Sequence, residues 1–349
     1  MRSHHLRAAA GAAPYSGNIA VAHDNSPYIS VYSWTSGQGF GTKYSDPSTT
    51  PTGNGNGVAF SPDGSDIAVT HASSPYISVY SWSSSGFGTK YSNPSTTPTG
   101  TGYGVVFSPD GANIAVSHQN TPYISVYPWS SSGFGTKYSD PSFTPPTTSR
   151  GVAWSPDGSD VAVAHGVSPY VTAYLWTSGQ GFVGYSARYT NPSTTPTNTA
   201  FDVVFSPDGS DLAVAHLNSP YITVYPWTSG SGFGTKYADP STMLTSNALG
   251  VAFSPDGSDI SIVGNFGIAA YAWNSGFGAK YSNPSTNTGG QGRRVAFSPD
   301  GSDVAVAHGG SPYITAYPWT SGQGFGTKYS DPSTLPTTTG RGVAFSPAV

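Results

Sequence analysis

One short pattern, repeated along the chain, limits its possible folds more than any other feature. V-A-F-S-P-D-G places its aromatic residue at Phe60, Phe107, Trp154, Phe205, Phe253 and Phe297, and a last partial copy has Phe345. The spacings are 47, 47, 51, 48, 44 and 48 residues. A second pattern, P-Y-I-S-V-Y-x-W, ends at Trp34, Trp82, Trp129, Trp176, Trp227, Trp273 and Trp319. A third, G-F-G-T-K-Y, carries Lys43, Lys90, Lys137, Lys236, Lys280 and Lys328, with Arg188 in the fourth unit after a small insertion. Length alone would suggest about two domains. A period near this value instead signals units that bury their faces only by stacking on one another.

Each unit reads as four strands. In the second unit, strand a is expected over 57–61, strand b over 66–71, strand c over 76–82 and strand d roughly over 87–92. Ser61-Pro62-Asp63-Gly64 makes a turn in which Pro sets φ and Gly takes the strained position. Alternation puts Ile67 and Val69 on one face of strand b and Ala68 and Thr70 on the other. In strand c, Ile77 and Val79 oppose Tyr76, Ser78, Tyr80 and Trp82. Both faces are apolar, one bulky and the other partly small, so neighbouring units must stack bulky on small, and a ring leaves no end exposed. The first unit starts at strand b, Asn18–His23, while 342–347 reads as a spare strand a. The expectation is an all-β, seven-bladed β-propeller of four-stranded blades over residues 15–349, with the C-terminal strand completing the first blade.

Composition narrows the function. The chain has no cysteine, a net charge of -4 and only 9% charged residues, and all 17 acidic residues are Asp. Disulfides and thiolate metal sites are excluded, and general nucleic-acid binding, which needs a basic face, is not expected. No apolar run is long enough to span a membrane. Residues 1–14 read as a flexible arm, because Ala8–Ala13 is too short for the apolar core of a secretory signal.

At V-A-F-S-P-D-G-S-D-I-A-V the chain resembles the WD-repeat propeller family, over essentially residues 15–349. The resemblance puts Tyr80 and its equivalents where that family has Trp. It puts His71 and its equivalents near the family's strand-b Ser or Thr. The family's Gly-His and Trp-Asp pairs are missing. The longer run A-V-A-H-x-x-S-P-Y-I-T-V-Y, G-F-x-x-K-Y, N/D-P-S-T-x-P-T is similar to repeat proteins of tailed bacteriophages and prophages. That resemblance implies a virion surface protein, in a tail fibre or on the capsid.

Several repeated residues are candidates for function. His23, His71, His118, His165, His216 and His308 end strand b, with Gly264 in the sixth unit. They could bind sugar or metal, but a structural role is favoured, since no unit offers a second His, a Cys or a Glu to complete a metal site. Asp63 and Asp66 with their equivalents are read as turn residues rather than calcium ligands. The strand-d Lys is read as protection of an outer edge. The strand-c Trp and Tyr are read as core rather than sugar platforms.

The copies disagree most at the residue two before the first Val of strand a: Asn56, Tyr103, Arg150, Phe201, Leu249, Arg293 and Arg341. The fifth unit is counted from Val203, with Asp202 in the Gly slot. The pair after the strand-b His, such as Asp24-Asn25, also varies. Both positions fall on the face shared by the d–a and b–c loops, so these strand-a residues, with Arg294, should ring the channel mouth. Their variation reads either as drift at tolerant loop positions or as a face that contacts a ligand or partner.

Nucleophile motifs, phosphate loops and metal-protease motifs are absent, and the uniform repeat argues against one asymmetric active centre. The sequence therefore predicts a non-catalytic binding or structural protein, without cofactor or metal, on a virion surface or otherwise extracellular. Its expected partners are other virion proteins or cell-surface glycans. A multivalent lectin and a protein-interaction scaffold are the alternatives.

Overall fold

A computed structural model describes residues 14–182 and 187–348, and contains strands and turns but no helix among them. Of the expected N-terminal arm it describes only Pro14. Seven sheets form seven blades. In the second blade, strand a is Gly55–Phe60, b is Asp66–His71, c is Ile77–Ser83 and d is Gly86–Lys90. All neighbouring strands in the blades run antiparallel. Strand a starts earlier than the sequence suggests because a bulge between Gly55 and Gly57 carries pairing past the turn of the chain, up to His71.

The first blade takes Gly340–Phe345 as its strand a, paired antiparallel with Ser16–His23. Tyr15 locks this closure: its buried hydroxyl donates to the Ser346 carbonyl at 2.7 Å. The fourth blade shows three strands, with Arg188 bridging Tyr174 where strand d pairs elsewhere. In the third, fifth and seventh blades strand d shrinks to two residues. Those blades carry Pro128, Pro226 and Pro318 in strand c. The residue at this position would donate its N–H towards strand d, and proline has none to give.

The core lies between blades rather than within them. At one interface, Ala20, Ala22, Ile29 and Val31 of the first blade meet Ile67, Val69, Tyr80 and Trp82 of the second. At the next, Ala68, Ile77 and Val79 meet Ile114, Val116, Tyr127 and Trp129. Each blade thus offers its smaller face forward and its bulkier face back. Trp82 also sits edge-on to Tyr44, Phe60 and Phe87, with centroids 5.0 to 5.8 Å away. Such pairs add about 0.5–1.5 kcal/mol each beyond area burial.

Two polar bonds recur inside these interfaces. The buried strand-c Tyr donates its hydroxyl to a carbonyl in the preceding d–a segment, as Tyr80 does to Thr49 at 2.8 Å. The second bond corrects the reading of Asp66 and its equivalents as turn residues. Asp63 is the turn residue: it accepts from Ser61 Oγ and the Ser65 amide. Asp66 is buried and accepts from Tyr91 Oη at 2.8 Å and from Trp129 Nε1 of the next blade at 3.0 Å. The same latch joins Asp160 to Trp227, Asp211 to Trp273, Asp259 to Trp319 and, across the closure, Asp303 to Trp34. Where Asn113 replaces Asp in the third blade, Tyr138 still bonds to it but Trp176 Nε1 is left without a partner among the described residues.

Asp211 accepts from both Tyr237 and Trp273. Asp211→Ala, which orphans the buried Trp273 indole and the half-buried Tyr237 hydroxyl, is expected to cost about 2–4 kcal/mol, and Asp211→Asn about 1–2 kcal/mol. Urea denaturation checks this; a loss for the Ala variant within about 0.5 kcal/mol, the range of ordinary surface substitutions, would remove the latch from the account.

Candidate functional site

The repeated histidines are wholly buried. His71 Nδ1 lies 2.8 Å from the Ser73 carbonyl and Nε2 lies 3.1 Å from Ser78 Oγ. A carbonyl only accepts, so Nδ1 carries the proton and Nε2 accepts from the serine hydroxyl. The other five make the same strand-b to strand-c bond, to Ser30, Ser125, Thr172, Thr223 and Thr315. A Thr of the d–a loop completes the set in four blades, as Thr52 does for His71. Where Pro146 and Gly289 stand at that Thr position, His165 and His308 Nδ1 find no partner among the described residues. This polar trio holds the d–a and b–c loops together. These imidazoles do not face a surface ligand, and no cluster of three His, Cys or carboxylate residues among the described residues could hold a metal ion.

The eight strand-a residues come together. Asn56, Tyr103, Arg150, Phe201, Leu249, Arg293, Arg294 and Arg341 line one shallow cavity of about 100 Å³ at the channel mouth. They converge because strand a is innermost in every blade and seven of them are the second residue of that strand, with Arg294 the third in its own. Below the cavity lies an apolar channel of about 350 Å³, lined in part by Val58, Val105, Val152, Val203, Val251, Val295 and Val343.

The eight do not play the same part. Asn56 Nδ2 donates to the Gly102 carbonyl at 2.8 Å and ties neighbouring blades. Leu249 is buried. Arg341 makes a two-bond pair with Asp24, Nε to Oδ1 at 2.5 Å and Nη2 to Oδ2 at 2.9 Å. Arg150 places its guanidinium carbon 4.5 Å from the Phe201 ring centroid and 5.5 Å from that of Tyr103. Its Nε is buried and unpartnered among the described residues, as is Nε of Arg293. Burial lowers the Arg293 pKa, and the Arg341 charge adds to that. Arg294 turns inward: it donates to the carbonyls of Leu249, Arg293, Arg150 and Phe201 and lies 3.8 Å from Asp202. It is therefore not a free cation at the rim.

The sequence gives no direct sign of Asp24 or Asp202 as partners of these arginines. The available signal was exception: Asp202 and Arg294 break a column otherwise filled by Gly57, Gly104, Gly151, Gly250 and Gly342.

Charge is separated across the disc. Each described Lys and Arg lies at the end of strand d or just beyond it, or near the start of strand a, on the mouth side, where four of the lysines pair with Asp46, Asp140, Asp239 and Asp331. The turn carboxylates Asp63, Asp110, Asp157, Asp208, Asp256 and Asp300 lie on the opposite face. Burial pushes Asp110, Asp157, Asp256 and Asp300 up, but hydrogen bonds from the turn hydroxyls and amides together outweigh it and hold all six carboxyls below their usual range, with Ser61 Oγ the largest cause at Asp63.

No family model matches the chain, and no curated protein matches it in sequence. Solved structures do. A periplasmic gluconolactonase from Pseudomonas aeruginosa superposes with a TM-score of 0.70 at 16% identity, covering 96% of this chain and 100% of that one. A protein assigned as a 6-phosphogluconolactonase from Bacteroides uniformis gives 0.72 at 16% identity, covering 95% and 99%. Another so assigned, from Bacteroides fragilis, gives 0.73 at 13% identity, covering 95% and 98%. At these identities the likeness establishes the propeller fold. It also corrects two expectations. Phage repeat proteins are not among these neighbours, and the virion reading is left unsupported by them. The expectation of a non-catalytic chain is overturned by whole-chain neighbours named as lactonases. The physical error was to argue from the uniform positions: the mouth is built from the positions that differ, and it is asymmetric.

Burial, the first cause, lowers five of the six repeated histidines to about pH 4, and lowers His23 as well. The unfolded chain takes up these protons near pH 6.5, so this contribution to stability is whole above pH 6.5 and is lost as the pH falls toward 4. The thermal midpoint should drop steeply across that window, and His71→Gln should make the drop shallower. A midpoint that stays level from pH 6.5 to 4 would contradict buried neutral imidazoles.

Proposed function

We propose that the chain is a lactone-hydrolysing propeller that takes an anionic sugar lactone at the channel mouth. The observation that carries this reading is the mouth cavity itself, where Arg150, Arg293 and Arg341 meet beside the Tyr103 and Phe201 rings. The lactonases among the structural neighbours support the reaction class.

Lactone hydrolysis needs little beyond placement of the ring ester, stabilisation of the charge on its carbonyl oxygen, and removal of a proton from water. Water oxygen adds to the carbonyl carbon, the ring C–O bond breaks, and the departing ring oxygen takes a proton to give the hydroxy acid. Arg293, half-buried and with Nε unpartnered among the described residues, is the donor to the developing oxyanion. Arg150 and the two rings hold the sugar and its anionic group. Asp24, fixed by Arg341, is the rim carboxylate that accepts the water proton. The charge separation across the disc draws anions to this face and away from the other.

Hydrolysis of glucono-δ-lactone and of its 6-phosphate is followed by acid release, corrected for the spontaneous reaction. The phosphorylated lactone should be the better substrate, with kcat/KM falling as salt is added. Arg293→Ala should lower kcat by about 100-fold, the usual loss of an oxyanion donor, and Arg150→Ala should mainly raise KM. No acceleration of either lactone by the intact protein would end this reading.

A further inference from the structure

Two side chains at the top of the channel depart from the pattern of the other blades. Five of the seven blades place glycine at the third residue of strand a, and the packing shows why. A Cβ on Gly57 would lie 2.5 Å from the Tyr103 carbonyl oxygen, and one on Gly250 would lie 2.9 Å from that of Arg293. The two remaining slots hold Asp202 and Arg294, which carry opposite charges and meet each other across the blade between them. Asp202 also accepts from the Val251 amide at 3.2 Å.

Arg294 touches both the mouth cavity and the apolar channel beneath it. Its guanidinium donates to the carbonyls of Arg150 at 3.3 Å, Phe201 at 3.0 Å, Leu249 at 2.5 Å and Arg293 at 3.0 Å. Those four residues are mouth-lining residues of four consecutive blades. Only a planar five-donor group can grip so many carbonyls at once; a lysine is a point charge without that fork.

We infer that Arg294, steadied by Asp202, is a positioning residue: it floors the mouth, separates it from the channel, and sets the spacing of Arg150, Phe201, Leu249 and Arg293. The mouth is then a closed-bottomed pocket rather than the opening of a conduit. A ligand enters and leaves from the same side, and water cannot rise from the channel behind it. The kinetic consequence rests on the lactone reading; the structural one does not.

Asp202→Gly with Arg294→Gly tests this, because it restores the residue that five blades already tolerate. Asp202→Asn with Arg294→Met is a second variant that keeps volume and removes both charges. Crystal structures of the double variants should show a continuous file of water from mouth to channel in the glycine pair, and displaced Arg150 and Arg293 side chains in both. With glucono-δ-lactone 6-phosphate, KM should rise about tenfold as Arg150 shifts, and kcat should fall about tenfold as Arg293 shifts, less than the loss expected for Arg293→Ala. Thermal midpoints close to the parent's would show that the effect is local. Variants that fold, keep Arg150 and Arg293 in place and leave KM unchanged would overturn the inference. If the intact protein hydrolyses no lactone, the function proposed above falls alone, and the crystal structures still decide whether Arg294 floors the mouth.

Discussion

Each blade has two apolar faces and can bury them only against its neighbours. That constraint fixes most of the structure. It explains why alanines on the forward face of one blade meet the Tyr and Trp of the next. It also explains why the ring must close, since an open end would expose one of these faces. The closure has the same chemistry as every other interface: Ala305, Ala307 and Ile314 of the last blade pack on Ile19, Val21, Tyr32 and Trp34 of the first.

Hydrophobic stacking alone would allow blades to slide. The Tyr-to-carbonyl bond and the Trp–Asp latch remove that freedom, because a buried donor left unpaired costs more than a made bond contributes. The latch spans the closure through Asp303 and Trp34, so the ring is keyed there as it is elsewhere. Its two exceptions coincide with substitution of the acceptor: Asn18 and Asn113 stand where the other blades have Asp. This fixed frame brings the innermost strand ends to constant positions, which lets the mouth differ residue by residue without disturbing the fold.

Much of this was legible in the sequence because the repeat exposes its own rules. Blade number, strand alternation, closure and the convergence of Asn56, Tyr103, Arg150, Phe201, Leu249, Arg293 and Arg341 follow from period and chain direction. Long-range partners were not legible. Asp66 satisfies a local turn pattern, and nothing nearby marks Trp129, in the next blade, as its partner. Arg293 and Arg294 are adjacent in sequence, yet alternation sends one to the cavity rim and the other into the axis. The strand-c prolines had a visible cost, the loss of strand-d pairing, but their position had to be read in register before that cost appeared. The expectation of a non-catalytic chain was argued from the positions that repeat unchanged, and these are the positions that build the frame.

The mouth therefore carries the functional weight of the account, and its ligand should be visible there. The most direct measurement is a crystal structure of the protein with 6-phosphogluconate, the hydrolysis product of the favoured lactone. The account predicts the sugar acid in the channel mouth, with an anionic group on the Arg150 and Arg293 guanidiniums and the Asp24 carboxylate beside C1. Binding on the opposite, Asp-rich face, or a mouth left empty at saturating product, would contradict it.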